Sequence, residues 1–110
     1  MTNAQRDTHS IYGFLHPKAH RAAELKDMLL ALVEPTRREE GSLQYHLHEE
    51  ADGTLFLYEV WRSKEDLDRH METPHMKAFA AAFFANRMDY LERDIDGHAG
   101  AMLSPYATAE

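Results

Sequence analysis

The sequence predicts an α+β domain of split βαβ organisation, with helices on one face of an antiparallel sheet. Three observations lead there: an amphipathic helical period after Pro17, a pair of alternating strands around Asp52-Gly53, and a second helical stretch between that pair and a last short strand. With 110 residues, 44% of them hydrophobic and 28% charged, the chain has material for one core and not for two.

Residues 1–8 read as a disordered leader, 9–103 as the single domain and 104–110 as a C-terminal tail. Ser10 to His16 is the first strand, bounded by Pro17. From Lys18 the period changes: Ala22, Leu25, Met28, Leu29, Leu32 and Val33 fall on one helical face and Arg21, Glu24, Lys26 and Asp27 on the other. Pro35 lacks an amide hydrogen and crowds the preceding turn, so a kinked helix running on to Glu40, with Gly41 as its stop, is expected.

Ser42 to Glu50 and Thr54 to Arg62 form the strand pair, with Asp52-Gly53 as the turn. In the second of them Leu55, Leu57, Glu59 and Trp61 share one side and Phe56, Tyr58, Val60 and Arg62 the other. Both sides are largely apolar or aromatic, and so short a chain cannot cover both with its own helices. A homodimer is therefore expected.

Ser63 and Asp66 read as a capping box for a helix over 64–72, with Leu67 and Met71 a turn apart behind it. Thr73-Pro74 starts a further helix whose inner stripe is Met76, Phe79, Ala80 and Phe83. Phe84, Met88, Leu91 and Ile95 continue at helical spacing, while Asp96-Gly97 signals a break, so a final short strand is placed between Asp94 and Leu103. The element order is that of a ferredoxin-like fold.

Composition excludes several function classes. Twelve basic against nineteen acidic residues give a net charge of −7, with no basic cluster beyond Arg37-Arg38, which argues against a nucleic-acid partner. No apolar run is long enough to span a membrane, and the polar start lacks the apolar stretch of a signal peptide, so a cytoplasmic chain is expected. The absence of cysteine removes thiolate metal sites, iron–sulfur clusters and a cysteine nucleophile. No Gly-rich phosphate loop or dinucleotide fingerprint occurs, and no cofactor and no metal are expected.

The chemistry-bearing residues lie between Tyr45 and Phe79. His46 and His48, two apart on a strand, read as a polar pair on one face, at the dimer contact or beside it; the alternative, a metal site, needs a third ligand and an orienting second shell that the sequence does not specify. Glu59, among Leu55, Leu57 and Trp61, is a desolvated carboxylate that is either a paired structural acid or a working one. Trp61 reads as core, or as the wall of a site for a flat ligand. His70 near one helix end and His75 in the next helix's first turn sit in unlike dipole fields, the first favouring the imidazolium and the second opposing it. His70, three residues after Leu67, is expected to turn partly inward and to remain partly exposed.

The segments EPTRREEGSLQYHLHEE and FLYEVWRSKEDLDRHMETPHMKAF resemble the antibiotic biosynthesis monooxygenase family, in its Gly turn followed by a strand with a central Tyr and in its Glu-x-Trp, Leu-x-x-His and Pro-His run. The resemblance places Tyr45, Glu59, Trp61, His70 and His75 on motif positions. It implies a dimeric α+β barrel and a cofactor-independent oxygenase of a quinol or polycyclic phenol, a small aromatic substrate that itself reduces dioxygen once deprotonated. Trp61, Phe79 and Phe83 would then wall the substrate, His70 or Glu59 would be the base, and Tyr45 or His75 would donate a hydrogen bond. The same family includes isomerases of small carbonyl metabolites, and a non-catalytic binder of an aromatic metabolite would look alike. Its haem-degrading branch fits less well: His70 stands where that branch has a Trp and Ala80 where it has a His.

Overall fold

A computed structural model describes residues 7–104. Strand β1 (His9–Pro17) leads through a 3₁₀ turn (Ala19–Arg21) into α1 (Ala22–Leu30) and α2 (Val33–Arg37). The hairpin β2 (Ser42–Glu49) and β3 (Leu55–Trp61) is followed by α3 (Lys64–Met71) and α4 (Pro74–Ala82). A second 3₁₀ turn (Phe84–Asn86) and the short α5 (Arg87–Tyr90) return the chain to β4 (Leu91–Gly100). The strands pair antiparallel in the order β2-β3-β1-β4, the ferredoxin-like arrangement that the element order predicts.

Local chemistry explains most boundaries. The Gly53 backbone at φ 91° closes the hairpin turn, where the Thr54 amide donates to Asp52 Oδ1 at 2.9 Å. Ser63 caps α3 by accepting from the Asp66 amide, and Thr73 caps α4 by accepting from the Met76 amide, with Pro74 as first helical residue.

Three expectations are corrected. The first helix breaks at Ala31-Leu32, ahead of Pro35, because the proline ring crowds the carbonyl of the residue four before it, which is Ala31; the helical stretch then stops at Arg37 and does not reach Glu40. The inward face of α3 is polar: Asp66 and His70 are buried, whereas Met71 is 43% exposed. β4 starts at Leu91, ends at Gly100 and passes without a break through Asp96-Gly97, since Gly97 pairs with Gly13 in the ladder to β1. Phe84 lies on a 3₁₀ turn, Met88 on the four-residue α5 and Leu91 and Ile95 on a strand, so their spacing does not belong to one helix.

The core lies between the sheet and the helices, joining Leu15, Tyr45 and Leu55 to Leu25, Leu29, Leu32, Met76, Phe79 and Phe83. On the opposite sheet face Tyr12 stacks on His98 at 4.9 Å, Phe14 meets Phe56 at 5.6 Å and His48 stacks on Phe56 at 4.3 Å. Tyr12 there is 40% exposed.

Of the expected leader, residues 1–6 lie outside the described residues, and Thr8 is buried with its hydroxyl accepting from the Met102 amide at 2.9 Å. Of the expected tail only Ser104 is described. Among the described residues no helix is long and apolar enough to cross a membrane.

Candidate active site

Alternation along β3 turns Leu55, Leu57, Glu59 and Trp61 toward the helices. A cavity of about 170 Å³ opens there between the sheet, α1 and α4. Ile11, Leu15, Leu57, Phe79 and Phe83 contribute to its apolar wall, and Gly13 and Gly97, opposite each other in the β1–β4 ladder, leave side-chain space over its floor. Phe79 and Phe83 stack at 5.2 Å. Glu59 is the one carboxylate in this lining.

Glu59 is 8% exposed, and its neighbours across the sheet are Tyr45 and Ile11. Burial raises its pKa to about 7, opposed by a hydrogen bond from Trp61 and assisted by the negative charge of Glu39. A carboxyl held near neutrality can both take and return a proton at physiological pH. The Tyr45 phenol, 2% exposed, is pushed up by burial and by Glu59, and so stays protonated.

Behind Glu59 runs a second layer. The Trp61 indole donates to Glu59 Oε1 at 2.8 Å and is fully buried. Its ring lies 4.5 Å from that of His70, which also meets Tyr45 edge-on at 6.1 Å. His70 Nδ1 is 2.7 Å, and His75 Nε2 2.9 Å, from one and the same oxygen, Oε2 of Glu39. An ionised carboxylate only accepts, so each ring presents an N–H to it. Thr73 Oγ1 lies 3.2 Å from His75 Nε2 and donates to the His70 carbonyl at 2.7 Å, tying the α3–α4 junction to this cluster.

The residues singled out in the sequence thus fall into two adjoining groups. Glu59, Phe79 and Phe83 line the cavity; Tyr45, Trp61, His70 and His75 do not. His70 is 1% exposed, more deeply buried than expected, and that burial lowers its pKa although Glu39 pulls the other way; desolvation outweighs the helix-end field on which the expected imidazolium rested. His46 and His48 are otherwise engaged: His46 contacts Arg37 Nη2 at 3.1 Å and Gln44 Oε1 at 2.6 Å, and His48 stacks on Phe56. The larger hollow, about 360 Å³ and lined among others by His16, Asp52, Glu92 and Arg93, contains none of the sequence candidates.

Glu39 is the residue that sequence reasoning missed. Its turn is set by Gly41, whose absent side chain makes room for Asp66: a Cβ at Gly41 would stand 2.2 Å from Asp66 Cγ. Asp66 is held by Arg62, Ser63 and Arg69, which together keep its carboxyl low, at about 2, the Arg62 hydrogen bond contributing most. A Glu-x-Gly ahead of a strand is the signal that was available, but only the fold brings it to two histidines more than thirty residues away.

The family model described as antibiotic biosynthesis monooxygenase matches residues 8–82. A Mycobacterium tuberculosis protein named "Putative monooxygenase Rv0793" is 39% identical over 66 residues, 59% of this chain and 65% of that protein. Synechocystis sll1783 is 30% identical over 71 residues, 63% of this chain and 48% of that protein. The chain thus matches less than two thirds of the length of either relative. The solved structure of Rv0793 superposes with a TM-score of 0.74 at 30% identity, covering 94% of this chain and 99% of that one. That of PA3566 from Pseudomonas aeruginosa gives 0.77 at 25% identity, covering 91% and 98%.

Proposed function

Because this chain belongs to the antibiotic biosynthesis monooxygenase family, we propose that it oxidises a single-ring hydroquinone or similar electron-rich phenol with dioxygen in the cavity beside Glu59. The observation that carries this reading is one carboxylate, held near neutral pKa, in an otherwise apolar cavity of about 170 Å³. Apolar cavities of about 150 Å³ accept benzene, so this volume suits one aromatic ring better than a polycyclic one.

Glu59 takes the phenolic proton, which turns the ring into an electron-rich anion. The anion passes one electron to dioxygen, and the resulting radical pair joins at a ring carbon. Loss of water from the peroxide then gives the oxidised ring. For a hydroquinone the balance is C₆H₆O₂ + O₂ → C₆H₄O₃ + H₂O: one oxygen atom enters the ring, the other leaves as water, and the substrate supplies the electrons. The dry walls of Leu57, Phe79 and Phe83 protect the anion from bulk water, and the protonated Glu59 can return a proton to the departing oxygen. Trp61 fixes the Glu59 carboxylate, and His70 and Glu39 support Trp61 from behind.

The uncovered sheet face with Tyr12, Phe14, Phe56 and Tyr58 is, in this reading, the surface by which two copies pair sheet to sheet.

The test is oxygen uptake with a panel of hydroquinones on protein freed of redox-active metal and flavin. Saturable uptake with one oxygen atom from ¹⁸O₂ in the product supports the reading. Saturable ligand quenching of Trp61 fluorescence without uptake points to a binder, and proton exchange on a carbonyl ligand without uptake points to an isomerase.

A further inference from the structure

We propose that Glu39, His70 and His75 form a site for a divalent transition-metal ion, zinc being the best matched, which clips the turn before β2 to the α3–α4 junction. This is the one set of three or more His, Asp or Glu donors that the described residues bring close enough to hold a metal, their donor atoms all lying within 4.8 Å of one another. Two imidazoles and a carboxylate are borderline donors, suited to zinc and its neighbours and poorly suited to magnesium or calcium.

The arrangement is built before any ion arrives. The His70 ring is wedged between Trp61 and Tyr45. His75 sits in the first turn of α4, whose start is fixed by the Thr73 cap. The Glu39 turn is closed by the Glu39 amide on the Thr36 carbonyl at 3.0 Å and the Ser42 amide on the Glu39 carbonyl at 3.1 Å. Around a tetrahedral zinc with ligands at about 2.0–2.2 Å, donor atoms stand about 3.3 Å apart. The present 2.7 and 2.9 Å separations are hydrogen-bond distances, so each imidazole needs to retreat by about half an ångström for the ion to replace the shared protons. Thr73 Oγ1, 3.2 Å from His75 Nε2, can orient a water in the fourth position. The side chains of His75 and Glu39 are 21% and 16% exposed, which leaves an entry edge.

None of the three residues lines the cavity, and Trp61 stands between them and Glu59, so the ion would stabilise the fold and would not touch substrate. The inference therefore stands or falls separately from the proposed oxidation. No ion was expected from the sequence because His46 and His48 lacked a third ligand; here the third ligand is Glu39, which serves a different pair.

The experiment is titration of chelator-treated full-length protein with Co²⁺, followed by its visible absorption, then displacement by Zn²⁺, with thermal melting in parallel. The expected result is one equivalent bound at low-micromolar or tighter affinity with four-coordinate cobalt bands, and a melting temperature that rises with zinc concentration. His75→Ala should weaken binding at least about 100-fold, as a lost ligand exceeds the 10- to 100-fold effect of an outer partner. Glu39→Gln, which keeps the side-chain shape should His75→Ala fail to fold, should do the same. A His46→Ala/His48→Ala double variant should bind like the parent. Absence of binding at 100 µM metal, or binding that survives Glu39→Gln and is lost in the His46/His48 variant, overturns the proposal and leaves Glu39 a hydrogen-bonded clamp only.

Discussion

The Trp61 indole nitrogen donates to Glu59 Oε1 at 2.8 Å from two residues further along the same strand. Residues two apart on a strand share a face, so β3 carries both the acid and the donor that fixes it. Glu59 Oε2 accepts no hydrogen bond from the described residues, and Glu59 is in the cavity lining. One carboxylate oxygen is thus anchored, and in the proposed reaction the other is the one that takes the phenolic proton.

The buried acid carries a pH signature in stability. An unfolded glutamate titrates near 4.3, whereas Glu59 in the fold titrates at about 7. Between those values the folded chain holds the extra proton, so stability falls as pH rises and the loss is complete above about pH 7, amounting to about 4 kcal/mol. Denaturant unfolding at pH 4.5 and pH 8 should show this loss in the parent and its absence in Glu59→Gln. Equal pH slopes in the two proteins would contradict it.

Gly41 is a packing requirement and not a flexible joint. A methyl group there would collide with Asp66, which cannot yield easily because Arg62, Ser63 and Arg69 all hold it. Gly41→Ala should cost about 1–3 kcal/mol, as other overpacked sites do. The Asp66→Ala background, which opens the space, should largely cancel the penalty in a double-mutant cycle of unfolding free energies.

Gly13 has the opposite character. A Cβ built there meets nothing nearer than 3.7 Å, and its direction on the face shared with Ile11 and Leu15 takes it over the cavity floor. Gly13→Val should leave unfolding free energy within about 1 kcal/mol of the parent, since valine suits a strand. Occupying the cavity, it should raise KM for a ring substrate at least tenfold. Unchanged KM with an intact fold would place substrate elsewhere.

The exposed aromatic face predicts its own partner. Light scattering should find a dimer at low micromolar concentration, and Tyr58→Asp, on the face of Phe14 and Phe56, should shift it toward monomer. A parent protein that is monomeric at that concentration would remove the pairing.

Much of the fold was legible because its signals are local. The Asp52-Gly53 turn, the Ser63 and Thr73 caps and the Met76, Phe79, Phe83 stripe each declare themselves within a few residues. β4 was placed too late because Asp96-Gly97 reads as a turn in isolation, whereas pairing with Gly13 holds it extended. The depth of burial on the inner face of α3 was hidden for a similar reason: His70, expected to turn only partly inward, is satisfied by Glu39 thirty-one residues away, and Asp66, held locally by Arg62, Ser63 and Arg69, fills the space that the absent side chain of Gly41 leaves. The sequence could gather Tyr45, Glu59, Trp61, His70 and His75 into one region. It could not show that the Trp61 layer separates Glu59, at the cavity, from the histidines behind it.

If Glu59 is the base, it shows in the pH dependence of kcat/KM for oxygen uptake, compared between the parent and Glu59→Gln. The parent's rate should rise with pH through an apparent pKa near 7, and Glu59→Gln should lower it by about 10² to 10⁴ and abolish that limb while remaining folded. Near-parental uptake by a folded Glu59→Gln, with the same limb in its pH profile, would contradict the account.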